Sequence, residues 1–163
     1  MICHANFCIF VVRFETVVMI TFNFQYQFRF VKRTLYRLWI GKMVQSKNKK
    51  IGDVNYIFCD DAYLLEINQQ YLQHDTYTDI ISFDYCEGDV LNGDIFISVE
   101  RVRENAQQYS VTFQEELVRV MAHGILHLCG YKDKKKAEAE EMRKQEKWAI
   151  ELYEKMAVDN CKK

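Results

Sequence analysis

The sequence predicts one α+β domain in which helices cover a small mixed β-sheet. Segments with strand patterns alternate with segments of helical periodicity, in the order β-α-β-α-β-β-α-α-α. The chain has 163 residues, of which 49% are hydrophobic and 28% are charged, and this suffices for a single buried core. Because the net charge is only −1, the composition as a whole indicates neither nucleic-acid nor membrane binding.

The domain is expected to occupy residues 19–163, with residues 1–18 as an N-terminal extension. The extension is apolar, but Arg13 and Glu15 interrupt it, and it is too short to span a bilayer. It also lacks the basic start and the small-residue cleavage site of a secretory signal. A more regular pattern begins at Met19, which is therefore a candidate for the true start of the protein.

The six cysteines are scattered along the chain, and no C-x-x-C pair indicates a thiolate metal site. They are Cys3, Cys8, Cys59, Cys86, Cys129 and Cys161. We expect free thiols and a cytoplasmic protein, because reduced cysteines are ordinary in that compartment.

The first third of the domain is predicted to contain two strands, each followed by a helix. Aromatic and polar residues alternate from Phe22 to Phe30, which is typical of a half-buried strand. Apolar residues at helical spacing predict a helix over Lys32–Val44, and the β-rich run Val54–Cys59 predicts a buried strand. Either Asp60 or Asp61 can cap the helix that follows.

A hairpin and a short helix are predicted next. Asp79–Tyr85 and Asp94–Val99 have strand patterns, and the pair Asn92-Gly93 between them is a strong turn signal. The charged segment Glu100–Tyr109 is then expected to be helical.

Two helices complete the domain. Thr112 and Glu115 have the spacing of a capping box, so we expect a largely buried helix to begin there. Gly130 is placed to end this helix as its C′ residue. A charged helix is predicted from Lys134 to about Ala157.

Three residues of metal-ligand type lie close together in the sequence: His123, His127 and Asp133. Four residues turn a helix by about 400°, so both imidazoles leave one helix face about 6 Å apart along the axis. Gly130 breaks the helix, which allows Asp133 to return beneath the pair. The pattern predicts a metal-binding helix-turn for one Zn²⁺, since two imidazoles and a carboxylate favour zinc.

Three protein ligands leave a fourth position for water, which is typical of catalytic zinc sites. Because zinc can lower the pKa of its water to about 7, we predict this water as the nucleophile of a hydrolase. The alternative is that His123 and His127 are ordinary helix residues with satisfied hydrogen bonds. Metalloproteases of this spacing carry glutamate after the first histidine as general base, and Gly124 argues against that class.

The segment HGILHLCGYKD, His123–Asp133, resembles the signature H-G-x-L-H-L-x-G-Y-x-[HD] of the YbeY endoribonuclease family of ribosomal-RNA maturation factors. Two upstream segments resemble family motifs in the same order. INQQYLQHDTYTDIISF, Ile67–Phe83, is similar to L-N-x-x-Y-R-x-K-D-x-x-T-D-V-L-S-F, and GDIFIS, Gly93–Ser98, matches G-D-I-x-I-S. The three segments cover most of residues 67–133.

The resemblance implies a zinc-dependent, single-strand-specific endoribonuclease with His123, His127 and Asp133 as the metal ligands. It implies a role in ribosomal-RNA processing, including 3′ end maturation of small-subunit rRNA, and in ribosome quality control. The implied partners are single-stranded RNA and the small ribosomal subunit, without a membrane. The sequence does not indicate an oligomeric state.

The chain departs from the family pattern at two positions beside the motif. Leu72 stands where the family usually has arginine, and His74 stands where it has lysine. Candidates for the missing phosphate contact are His74, which could also serve as acid or base, and Lys132 and Lys134. The departure at Leu72 leaves open a zinc-stabilised ribosome-assembly factor without catalytic activity.

Overall fold

A computed structural model of the protein describes residues 19–73 and 75–161. Within these ranges the elements follow in the predicted order, which confirms the α+β fold. They are β1 (Met19–Phe24), α1 (Arg33–Ser46), β2 (Lys50–Cys59), α2 (Asp61–Ile67), β3 (Ile80–Asp84), β4 (Val90–Ser98), α3 (Val99–Gln108), α4 (Phe113–Leu128) and α5 (Lys136–Cys161). Asp60 caps the start of α2 by accepting a hydrogen bond from the Tyr63 amide. One π-helical turn, Asn68–Leu72, extends the other end of α2. The prediction for residues 1–18 lies outside the described ranges.

The four strands form the predicted mixed sheet, in the order β1-β2-β4-β3. β1 and β4 both pair with β2 in parallel, whereas β3 and β4 form the antiparallel hairpin. In the register, Tyr56 lies between Phe22 and Ile95, and Ile95 lies opposite Ser82. β4 is thus central, and β3 brings the chain that precedes it to the edge of the sheet.

The predicted turn at Asn92-Gly93 is wrong, because both residues lie inside β4. A Cβ atom on Gly93 would stand 2.5 Å from the Phe83 carbonyl oxygen, so this glycine permits close strand approach rather than a turn. The Asn92 side chain accepts a hydrogen bond from the Asp53 amide, beside an irregularity in β2. The chain reverses instead near Gly88, whose φ is +60°.

The aromatic alternation from Phe22 to Phe30 predicts a longer strand than the structure contains, since β1 ends at Phe24. Backbone pairing stops where the amides of residues 25 and 26 both donate to the Phe58 carbonyl. Beyond this point the aromatic rings pack without strand hydrogen bonds: Phe30 stacks on Tyr36 with 4.7 Å between ring centroids. The alternation therefore reflects burial, which the sequence shows correctly, and not a continuous ladder.

Helices α1 and α4 pack on one face of the sheet, and α5 packs against both of these helices. Helix α2 packs against a smaller cluster that includes Ile81. Two buried hydrogen bonds tie these layers together: the Trp39 indole donates to the Ala149 carbonyl at 2.8 Å, and the Tyr56 hydroxyl donates to the Met121 carbonyl at 3.0 Å. The second bond anchors α4 two residues before His123. No helix in the described ranges is both long and apolar enough to span a membrane.

Candidate metal centre

Helix α4 has defined ends, and both predicted end signals are confirmed. Thr112 accepts from the Glu115 amide, and the Glu115 carboxylate accepts from the Thr112 amide, which completes the capping box. At the other end Gly130 has φ +97°, the Gly130 amide donates to the His127 carbonyl, and the Tyr131 amide donates to the Leu126 carbonyl. This pair of bonds is a Schellman motif, and it directs the chain back towards the histidines.

The structure brings the three predicted ligands together. The Nε2 atoms of His123 and His127 lie 2.9 Å apart, and Oδ2 of Asp133 lies 3.6 Å from each of them. Tetrahedral coordination with bonds of about 2.0–2.1 Å requires about 3.4 Å between ligand atoms. The three separations lie on either side of this value, so the donor set fits zinc.

The second nitrogen of each imidazole faces a hydrogen-bond acceptor. Nδ1 of His123 lies 2.7 Å from a carboxylate oxygen of Glu146, and Nδ1 of His127 lies 3.0 Å from the Tyr131 carbonyl oxygen. Because these partners can only accept, each Nδ1 must donate, and the neutral ring carries its lone pair on Nε2. Both lone pairs therefore point towards the same place as the Asp133 carboxylate, which is the tautomer that a metal ligand needs.

The pKa of His127 is lowered from its ordinary value. Burial is the largest cause, and the neighbouring His123 adds to it, while the Tyr131 carbonyl and Asp133 oppose it. The lowered pKa favours the neutral form of His127, which is the form that binds metal.

A buried ionic network contacts His123 on the Nδ1 side of its imidazole. Glu146, only 6% exposed, also contacts Arg119 at 3.4 Å, and Arg119 pairs with Glu116 at 2.7 Å and with Asp79 at 3.1 Å. Burial alone would lower the pKa of Arg119, but the hydrogen bond and charge of Glu116, with Glu146 and Asp79, outweigh it and raise the pKa. The network thereby links helix α4, which contains both histidines, to helix α5 and to the chain that enters β3.

Sequence reasoning missed Glu146, although a signal was present. Helix α5 turns an apolar stripe inwards, with Met142 and Ala149 buried against the core, and Glu146 lies on the same face. A carboxylate on such a face requires a partner, because burying an unpaired charge is costly. That partner is the imidazole of His123 together with Arg119.

The ligand cluster opens on a groove of about 620 Å³ between α4 and the chain before β3. Lys134 lines this groove, whereas Lys132 lines a separate depression beside Tyr131 and Glu138. Leu72 also lines the groove and is 44% exposed. His74 lies outside the described residues, so its predicted role stays a prediction.

Gly124 faces the sheet and not the groove. A Cβ atom there would stand 2.8 Å from Ile95 and 3.0 Å from Ile80. The position after the first histidine therefore has no room for the general base of a metalloprotease, which strengthens the sequence argument against that class.

Fold and site together define a small α+β protein with a cluster of two histidines and one aspartate of the kind found in metal-dependent hydrolases. The family model described as Endoribonuclease YbeY matches residues 22–154, and the chain belongs to this family, as the motifs predicted. The chain is 56% identical over 135 residues to the Endoribonuclease YbeY of Flavobacterium psychrophilum, covering 83% of this chain and 96% of that protein.

Two further comparisons agree with this membership. The Endoribonuclease YbeY of Bacteroides thetaiotaomicron is 52% identical over 114 residues, which cover 70% of this chain and 83% of that protein. The solution structure of TM1509 from Thermotoga maritima superimposes with a TM-score of 0.62 at 28% identity, over 87% of this chain and 93% of that one. The family fold therefore extends over nearly the whole described domain.

Proposed function

We propose that the protein is a zinc-dependent endoribonuclease that cleaves single-stranded RNA. The observation that carries the proposal is the cluster of His123, His127 and Asp133, whose donor atoms all lie within 4.8 Å of one another at the edge of a groove. Family membership supports RNA as the substrate, because the relatives are named endoribonucleases. We further propose that the RNA is ribosomal, that the protein acts on the 3′ end of small-subunit rRNA and in ribosome quality control, and that it works in the cytoplasm with the small subunit as partner.

His123, His127 and Asp133 would hold the ion, and Glu146 and the Tyr131 carbonyl would orient the imidazoles. When bound, zinc supplies a Lewis acid that makes water nucleophilic at neutral pH and neutralises charge on a phosphodiester. The chain itself contributes a groove open to solvent and the ammonium group of Lys134, which lines it. Lys134 can attract the phosphate backbone, so a protein of net charge −1 still has a local anion-binding element.

A second candidate function, a zinc-stabilised ribosome-assembly factor without catalysis, is favoured by Leu72. This side chain lines the groove where the family motif has arginine, so that position offers no guanidinium to a phosphate. In this case zinc would fasten the end of α4 to the turn that carries Asp133.

One set of measurements separates the two functions. Purified protein is analysed for bound metal and then assayed on a single-stranded RNA, an RNA duplex and a peptide, beside His127→Ala and Asp133→Ala. Asp159→Ala, an exposed carboxylate near the end of α5, serves as the matched control. We expect one zinc per chain and cleavage of the single strand only. His127→Ala should lose both the zinc and the cleavage, Asp133→Ala should lose the cleavage and retain at most weakly bound zinc, and the control should keep both.

The alternatives give different results. Stoichiometric zinc without cleavage of any substrate would indicate the assembly factor. Cleavage that persists in both ligand variants would contradict the metal mechanism, and cleavage of the peptide would restore the protease class.

A further inference from the structure

A second cavity adjoins the metal cluster, that is, the group of His123, His127 and Asp133, on the side formed by α3, α4 and α5. It has a volume of about 610 Å³, within the range of about 300–1,000 Å³ that is usual for small-molecule sites. His123 and Asp133 line both this cavity and the groove that contains Lys134. The second cavity is therefore directly adjacent to the place where a phosphodiester would meet this cluster.

The rim of this cavity offers flat and apolar surfaces to solvent. Tyr109 and Val111, in the turn between α3 and α4, are 59% and 40% exposed, and Arg143 of α5 lines the same cavity. Arg143 is exposed and makes no hydrogen bond or ion pair with any residue in the described ranges. Tyrosine rings and guanidinium planes are the surfaces on which unpaired RNA bases stack.

The inner wall is acidic and therefore unsuited to a phosphate. Asp79, Glu116 and Glu146 line it, and the single guanidinium among them, Arg119, is already paired with all three. Asp79 uses Oδ2 for both Arg119 and Asn105, and its Oδ1 makes no hydrogen bond to the described part of the chain. At position 4 of a pyrimidine, a free carboxylate oxygen accepts from the amino group of cytosine and repels the carbonyl oxygen of uracil.

We propose that this cavity binds one base of the RNA strand, adjacent to the phosphodiester at the metal cluster, and that it prefers bases with an exocyclic amino group over uracil. Tyr109 provides the stacking surface, and the free oxygen of Asp79 accepts from the amino group. The identity of the ligand as a nucleobase rests on the proposed function, but its binding is measurable without cleavage.

The test is an NMR titration of the zinc-loaded protein with cytidine 5′-monophosphate and with uridine 5′-monophosphate. Both probes carry the same phosphate, so any difference between them reports on the base. We expect the cytidine nucleotide to shift the amide signals of residues 109–113 and to bind more tightly than the uridine nucleotide. Tyr109→Ala should weaken binding of the cytidine nucleotide by about 5- to 150-fold, because stacking is lost, whereas Tyr109→Phe should retain it.

Tyr85→Ala is the matched control, since Tyr85 is 55% exposed and belongs to the β3–β4 connection. Equal effects of Tyr109→Ala and Tyr85→Ala, equal binding of the two nucleotides, or shifts confined to other segments would overturn the proposal. Failure of the proposed function gives a different pattern: the nucleotides bind in the cavity as expected, while no RNA is cleaved.

Discussion

The two histidines of the proposed metal site are held in different ways. His123 is oriented by the carboxylate of Glu146, which belongs to another helix 23 residues further along the chain. His127 is oriented by the backbone carbonyl of Tyr131, which the Schellman turn places there. The orientation of His123 thus depends on the packing of α5 against α4, and that of His127 depends only on how α4 ends. The eleven-residue motif His123–Asp133 therefore contains the group that orients His127 and lacks the group that orients His123.

The largest loss of zinc affinity is expected from Glu146→Ala. The change removes the acceptor at Nδ1 of His123, and losses of such partners typically lower metal affinity by about 10- to 100-fold. The zinc dissociation constant, measured by competition with a chelator, should rise by this factor. Glu146→Gln keeps an oxygen acceptor, so its zinc dissociation constant should lie between those of Glu146→Ala and the wild type.

Glu151→Ala is the control for this measurement, because Glu151 is an exposed carboxylate on the same helix. Unfolding of each metal-free variant in urea separates loss of the ligand from loss of stability. Unchanged zinc affinity in Glu146→Ala would mean that Glu146 serves only the Arg119 network.

A smaller effect is expected from Gly130→Ala, which tests the anchor of His127. Gly130 has φ +97°, and an L-residue held in left-handed backbone costs about 1–2 kcal/mol. The free energy of unfolding in urea should fall by about this amount, and zinc affinity should fall with it because the Tyr131 carbonyl moves. An alanine variant of full stability and full zinc affinity would contradict the role of the turn.

The smallest effect is expected from Tyr131→Ala. This substitution removes the ring beside Lys47 but keeps the carbonyl that His127 contacts. We expect unchanged zinc affinity by the same chelator competition. A loss as large as that in Glu146→Ala would show that the side chain, and not the backbone, positions His127.

The sequence predicts those parts of the site that are local. Helix periodicity brings His123 and His127 together, Thr112 and Gly130 mark the ends of α4, and the structure confirms each of these features. The aromatic alternation from Phe22 to Phe30 also predicts the alternating burial of these residues, although it cannot show that strand pairing ends at Phe24.

Contacts distant in sequence account for the failures. In the sequence Gly93 looks like a turn residue. A glycine is needed there because the Phe83 carbonyl on the neighbouring strand leaves no room for a side chain, and only the sheet register reveals this contact. Glu146 looks like one more charge on a charged helix until the packing of α5 brings it against His123. In both cases the deciding atom belongs to another element of the fold.

We propose above all that His123, His127 and Asp133 together bind one metal ion. Zinc stoichiometry measured by native mass spectrometry on the wild type, His123→Ala, His127→Ala and Asp133→Ala tests it most directly. We predict one zinc per chain in the wild type and none in the two histidine variants, with at most weak, chelator-labile zinc in Asp133→Ala. A wild type that binds no zinc, or histidine variants that retain it at full stoichiometry, would contradict the claim.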